Sequence, residues 1–323
     1  MWVTSLHNQI LQPNAIALGN FDGIHKGHKE VLQPVLKATE VIGCQKGSNP
    51  SNWEKQSLYK TVVSFTPHPQ EYFTGQQKKL LTPLAEKVSY LEELGIEQLI
   101  LLPFDRELAS LSPQEFVEKL LIDKIGARLI SVGEDFRFGY QRTGNAQTLK
   151  AIAHNYGVEV NITHLQNLKA TRISSSQIRQ ALTTGKIETA NAMLGREYQI
   201  RGKVIKGQQL GQKLGFPTAN LEIPSIKFLP KYGVYLVRVS LLEQPERIYW
   251  GLTNVGYRPT VNGQQLTVET HILDFSGDLY NQDISLNLVK FLRPERKFDS
   301  LEALINQIST DIQIARELTI SYD

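Results

Sequence analysis

The chain has 323 residues, of which 41% are hydrophobic and 21% charged; that length predicts two domains and that composition excludes a disordered chain. Its net charge is +3, from 35 basic against 32 acidic side chains. So even a balance argues against a nucleic acid or an acidic membrane as partner and leaves anionic small molecules.

In the first half, short apolar runs at 15–18, 61–65, 98–102, 129–133 and 158–162 read as strands, separated by longer amphipathic segments. Strands interleaved with helices predict a parallel sheet covered on both faces, with sites at the strand C-termini. Residues 40–60 break the rhythm with Gly43, Gly47, Ser48, Asn49 and Pro50, and read as a surface insertion without chemistry. Beyond Ser174 the pattern is helical around a break at Gly185, where the domains are expected to meet, 1–185 and 186–323.

After Arg196 the texture becomes β, with runs at 198–205, 234–239, 248–252, 266–273 and 284–291, and turn residues between them. Closely spaced strands of this kind predict a small antiparallel barrel. The tail returns to a helix, with Leu301, Leu304, Ile305, Ile308, Ile312, Ala315 and Leu318 on one face after a cap at Asp299 or Ser300; that face is expected to pack on the barrel. The single cysteine, Cys44, excludes an intrachain disulfide and a multi-cysteine metal site. Residues 1–10 lack a basic start followed by an apolar run, and no run approaches about 18 apolar residues. The expected location is cytoplasmic, and oligomeric state is open, a homo-oligomer included.

Two segments carry candidate chemistry. The first, Gly19-Asn20-Phe21-Asp22-Gly23-Ile24-His25-Lys26-Gly27-His28, lies between a buried strand and a helix expected to start near Lys26. A helix N-terminus offers free N–H groups and the positive end of its dipole to a phosphate, and glycines allow close backbone approach. His25 and His28 can converge on one side of that turn and donate to phosphoryl oxygens, stabilising charge that develops in a transition state. By itself the His-x-x-His pair reads as surface histidines, and as a metal pair it lacks a third ligand. The full ten-residue string favours the phosphate site. The segments 66–69, 134–139 and 172–179 also follow strands. Of these, Arg172 and Arg179 can clamp a triphosphate, and the triplet Ser174, Ser175 and Ser176 can cap a helix while offering hydroxyls, though taken alone it reads as a cap only. Phe136 and Phe138 read as packing.

The second segment runs from Gly207 through Gly211, Lys213 and Gly215 to Phe216-Pro217-Thr218-Ala219-Asn220. Its glycines let the backbone fold over a nucleotide, Lys213 offsets phosphate charge, and Thr218 with Asn220, on one face of an extended strand, can present oxygens to Mg²⁺. Alone it reads equally as a hairpin. Glu269 alternates with Val268 and Ile272 and shares a face with His271 and Leu273. It is either a solvated carboxylate or a base for a hydroxyl that attacks a γ-phosphate.

Together, residues 19–28, Phe65 to Pro69, 132–139 and 172–179 resemble the FMN adenylyltransferase module of the bacterial bifunctional riboflavin kinase/FMN adenylyltransferases (FAD synthetases). Residues 202–220, 253–260, 268–275 and 291–293 resemble the riboflavin kinase module of the same family. The resemblance covers the chain nearly end to end. It implies a Rossmann-like nucleotidyltransferase domain followed by a six-stranded antiparallel β-barrel kinase domain with a C-terminal helix. The substrates and products implied are ATP, riboflavin, FMN and FAD, with Mg²⁺ as cofactor. By resemblance, Gly19, Asn20, Phe21, Asp22, His25, His28, Arg172, Ser175, Ser176 and Arg179 bind ATP for adenylyl transfer, and Asp135 and Arg293 contact flavin. Gly207, Gly211, Lys213, Gly215, Thr218 and Asn220 bind the kinase ATP, Thr218 and Asn220 hold the metal, and Glu269 is the catalytic base. Two departures stand out: Ser176 where the family often has Thr, and Glu197 in Gly-Arg-Glu-Tyr where Pro is usual.

Overall fold

The protein is described from a computed structural model covering residues 1–42, 55–164, 166–168, 171–207, 210–260 and 263–322. It divides into two compact units, Met1–Ile173 and Ser174–Asp323.

The first unit is built on a six-stranded sheet whose strands all run parallel: β1 (Trp2–Ser5), β2 (Asn14–Leu18), β3 (Tyr59–Thr66), β4 (Gln98–Pro103), β5 (Ala127–Gly133) and β6 (Glu159–Thr163). The order across the sheet is β1-β4-β3-β2-β5-β6. Five of these strands match the expected runs, and β1 adds a short edge strand that the apolar pattern did not announce. Strand β2 shows why its run is apolar throughout: Ile16 and Leu18 enter the core on one face with Val63, Ile100 and Ile130, while Ala15 and Ala17 enter the other with Val62 and Leu99. Helix α1 (Lys26–Lys37) contributes Leu32 and Val35 to the second face, and α2 (Leu84–Glu93) contributes Leu91. Chain order reverses between β2 and β5. Ligands of open parallel sheets bind beyond the strand C-termini at such a switch point, and the 19–28 segment leaves β2 there.

The 40–60 segment is not wholly an insertion. Glu40–Ile42 pairs antiparallel with Lys55–Ser57, and Tyr59 and Lys60 already belong to β3; its middle lies outside the described residues.

In the second unit, α3 (Ser175–Thr183) and α4 (Ile187–Leu194) pack on each other, and the Lys231 N–H donates to Leu182 O at 2.9 Å. Six strands then close a barrel: β7 (Tyr198–Ile205), β8 (Ala219–Glu222), β9 (Gly233–Leu241), β10 (Gln244–Thr260), β11 (Gly263–Ile272) and β12 (Asp283–Pro294). They close in the order β7-β8-β11-β10-β9-β12, each neighbouring pair antiparallel. Strand β10 runs far beyond the expected 248–252, through the Thr253–Thr260 motif. Closure removes every sheet edge, which lets a small all-β unit stand without an exposed ladder. Helix α5 (Leu301–Thr319) is capped by Ser300, whose hydroxyl accepts from the Ala303 N–H at 3.1 Å. Ala315, Ile312 and Leu318 pack with Val234, Leu236 and Leu252, while Leu301, at the first turn, stays exposed.

The Glu197 departure has a structural partner. Its carboxylate pairs with Arg238, whose guanidinium also lies 4.8 Å from the Trp250 ring centre. Burial holds the Glu197 carboxyl above its ordinary range, an effect Arg238 opposes.

Candidate active sites

In the first unit the chain leaves β2 through Gly19 and turns sharply before α1. Phe21 and Ile24 take left-handed backbone, φ 46° and 42°, with Gly23 at 92°. Non-glycine residues hold such angles only where packing enforces them, and both side chains are fully buried. His25 is the N-cap of α1: its Nδ1 accepts from the His28 N–H at 3.2 Å. An imidazole nitrogen that accepts carries no proton, so the His25 proton sits on Nε2, which is thereby a donor. The His28 ring stacks on that of His25, centroids 3.6 Å and planes 13° apart, and the Phe21 ring lies tilted 5.2 Å from it. Gly27 sits close under this pair: a Cβ there would lie 3.3 Å from the His25 ring, a tight contact. The structure therefore brings Gly19, Asn20, Phe21, Asp22, His25 and His28 into one turn above the sheet.

Asp135 follows β5 and pairs with Arg172; both are about half exposed. Next to them His164 lies 2.8 Å from Glu134. A residue assigned to flavin and one assigned to ATP are thus ion-pair partners. Phe138 packs against Phe116 at 5.1 Å and is 5% exposed, in keeping with a core role. Ser175, Ser176 and Arg179 lie on α3 in the second unit, where the Arg179 guanidinium is 5.7 Å from the Phe228 ring centre.

Three residues that the motif reading missed hold the first loop. Asp22 Oδ1 accepts from the Thr82 N–H at 3.2 Å, Thr82 Oγ1 accepts from the Gly23 N–H at 2.9 Å, and Lys87 Nζ donates to the Asn20 carbonyl at 2.8 Å. Ser64 Oγ donates to the same carbonyl at 3.2 Å. Burial lowers the Lys87 ammonium from 10.5 to about 8, with the Asp22 charge opposing the shift.

In the barrel, Glu269 on β11 stands opposite Asn220 on β8 and, on its other side, opposite Asn254 on β10. Directly opposed residues share a face, so a carboxylate lies in one row between two amides. Asn254 Nδ2 donates to Glu295 Oε1 at 3.2 Å. The alternate positions Val268 and Thr270 are buried, and Thr270 meets Thr253 hydroxyl to hydroxyl at 2.8 Å. Leu273 does not share Glu269's face as the period-two reading expected. The strand ends at Ile272 and Leu273 turns into the core against α5.

The glycine-rich segment wraps close to the same row. A Cβ on Gly207 would lie 2.4 Å from Asn220 Nδ2, and one on Gly211 would lie 2.4 Å from Phe216 O and 3.2 Å from Thr218 Oγ1. Gly211 and Lys213 lie in the short helix Leu210–Lys213, which Gly215 follows at φ 86°. His271, two residues beyond Glu269, has Nδ1 2.8 Å from Pro217 O and so ties the segment to β11; spacing flagged the position but not this contact. Arg293 is committed elsewhere: its Nε lies 3.0 Å from both Asp311 carboxylate oxygens and its Nη2 2.7 Å from Oδ2.

Among the described residues, no cluster of three or more His, Cys, Asp or Glu side chains could hold a metal. The hydroxyl and amide oxygens of Thr218 and Asn220 are hard, uncharged donors. Such a set suits Mg²⁺, which keeps several waters and takes further ligands from substrate phosphates.

A parallel α/β unit with paired imidazoles at a strand-to-helix turn, followed by a barrel with a carboxylate beside hard oxygen donors, fits the class of nucleotide-dependent transferases with two centres. The FAD synthetase family model matches residues 7–177, and the riboflavin kinase model matches 194–319. A bifunctional riboflavin kinase/FMN adenylyltransferase of Pseudomonas fluorescens is 36% identical over 98% of this chain and 97% of its own. Its Escherichia coli K12 counterpart is 36% identical over 98% and 96%. A solved structure from Streptococcus pneumoniae, named as a macrolide-efflux protein, superposes with a TM-score of 0.81 at 28% identity, covering 98% of this chain and 99% of that one. In the present chain no described helix is long and apolar enough to cross a membrane. The chain belongs to the bifunctional riboflavin kinase/FMN adenylyltransferase family.

Proposed function

We propose that the two centres act in sequence: residues 186–323 phosphorylate riboflavin with ATP, and residues 1–185 transfer AMP from a second ATP to the resulting FMN. FAD is the end product. The observation that carries this reading is the presence, in one chain matched nearly end to end by bifunctional relatives, of both the stacked His25–His28 turn and the Asn220–Glu269–Asn254 row.

In the kinase half Glu269 accepts the proton of the ribityl 5′-hydroxyl as its oxygen bonds to the γ-phosphorus and ADP departs. Gly207, Gly211 and Gly215 let the backbone close on the nucleotide, and Lys213 offsets its charge. Thr218 and Asn220 would hold Mg²⁺, which when bound neutralises charge on the phosphates. Arg293, fixed by Asp311, supports the flavin side.

In the adenylyltransferase half an FMN phosphate oxygen bonds to the α-phosphorus of ATP and pyrophosphate leaves. His25 Nε2 and the His28 ring donate to phosphate oxygens, and the Gly19–Asp22 turn and the start of α1 supply amide donors. Arg172 grips the rest of the triphosphate, and Asp135, its ion-pair partner, orients the flavin. Neither step needs a covalent enzyme intermediate. The partners are small-molecule flavins and ATP, and the location is cytoplasmic.

Chromatography of riboflavin incubated with Mg²⁺-ATP tests the reading. Sequential FMN and FAD are expected. FMN alone would assign the first half to another acceptor, and riboflavin bound but unchanged would mark a storage protein.

A further inference from the structure

The phosphate-binding turn rests on a lysine that lies outside its motif. Lys87 is only 8% exposed, and its Nζ donates to the Asn20 carbonyl at 2.8 Å and lies 3.3 Å from Ser64 Oγ, which itself donates to that carbonyl at 3.2 Å. The neighbouring contacts of Thr82 with Asp22 and Gly23 grip the turn at two further points. One short stretch, 82–87, thus fixes residues 20, 22 and 23.

The consequence follows from peptide geometry. In a trans peptide the carbonyl and the following N–H point in opposite directions within one plane. With the Asn20 carbonyl turned inward to Lys87 and Ser64, the Phe21 N–H is turned the other way. The left-handed angles at Phe21, Gly23 and Ile24 are of the kind that gathers successive amides into an anion-binding concavity. Keeping an ammonium buried is a stability cost that an apolar side chain would avoid, so the contacts of Lys87 with the turn are its evident use. Asp22, 3% exposed, is the counter-charge that makes the burial tolerable.

We infer that Lys87 is a positioning residue for adenylyl transfer: it locks the Asn20 carbonyl inward, so that the Phe21 amide faces the nucleotide phosphates and a fixed positive charge stands behind the turn. The inference rests on the assignment of adenylyl transfer to this half.

The test is steady-state kinetics of Lys87→Met, which keeps the length and loses the charge and the donors. With FMN and ATP supplied, kcat for FAD formation is expected to fall about tenfold or more while the KM for ATP changes by less than about threefold. Riboflavin phosphorylation by the same preparation stays at the parent level, and an unchanged far-UV circular dichroism spectrum reports that the unit carrying Lys87 is folded. Ser64→Ala removes the other donor to the same carbonyl and is expected to lower kcat about threefold. Parent-level kcat for FAD formation in either variant overturns the inference. A loss of circular dichroism signal in Lys87→Met, with Ser64→Ala at parent kcat, overturns it equally, because it assigns Lys87 to stability alone. If the parent chain makes FMN and no FAD, the underlying assignment fails instead.

Discussion

His25 and His28 lie face to face, ring centroids 3.6 Å apart, while the backbone N–H of His28 is held by Nδ1 of His25. The cap bond is thus made by the His28 backbone N–H and the His25 ring, and the His28 side chain takes no part in it. His28→Ala should leave α1 capped and remove one phosphate donor. FAD formation from FMN should fall about 10²- to 10³-fold, with riboflavin phosphorylation unchanged, as followed by chromatography of each reaction.

Glu269 offers the complementary case. Glu269→Gln keeps the shape of the side chain between Asn220 and Asn254 and removes the proton acceptor. Phosphorylation of riboflavin should drop about 10²- to 10⁴-fold. Conversion of supplied FMN to FAD should be undiminished, and a matching loss of both would locate the carboxylate's role in folding.

How far these sites were legible in the sequence depended on whether their determinants are local. The 19–28 turn announced itself because a buried strand, its glycines and two histidines fall within ten residues. Lys87 could not, because a lone lysine in an amphipathic helix reads as solvated, and its burial is created by a turn more than sixty residues earlier in the chain. The edge strand β1 has only four residues, and Trp2 and Val3 stay exposed, so its parallel pairing with β4 leaves no apolar signature. The sixth barrel strand, β8, also has four residues; its sole trace was the alternation of Thr218 and Asn220. Leu273 misled because period two holds only while the strand lasts. Resemblance singled out Arg293, but its bidentate commitment to Asp311 links positions on different elements that no spacing rule connects.

That commitment predicts a stability effect. Asp311 is 6% exposed at its side chain and Arg293 20%, and removing one partner of such a pair strands a charge. Asp311→Asn should lower the stability of the barrel unit by about 3–5 kcal/mol, read as a fall in the urea midpoint of Trp250 fluorescence.

Lys87 gives the pH dependence a definite sign. Its ammonium titrates at about 8 in the folded protein against 10.5 ordinarily, so between those values the unfolded chain binds the extra proton. Stability from this group therefore rises as pH increases from about 8 to 10.5, and the burial penalty is felt in full below 8. Chemical denaturation of the parent and of Lys87→Met across that window should show the parent gaining on the variant. Parallel curves would refute the assignment of the shift to this residue.

Two centres that share only a diffusible intermediate can be separated and recombined. Glu269→Gln supplied with riboflavin and Mg²⁺-ATP should yield no FAD, and His28→Ala should stop at FMN. An equimolar mixture of the two variants should restore FAD, since FMN released by one chain is adenylylated by the other. A mixture that still makes none, from two folded proteins, would contradict the division of the reactions between the two halves.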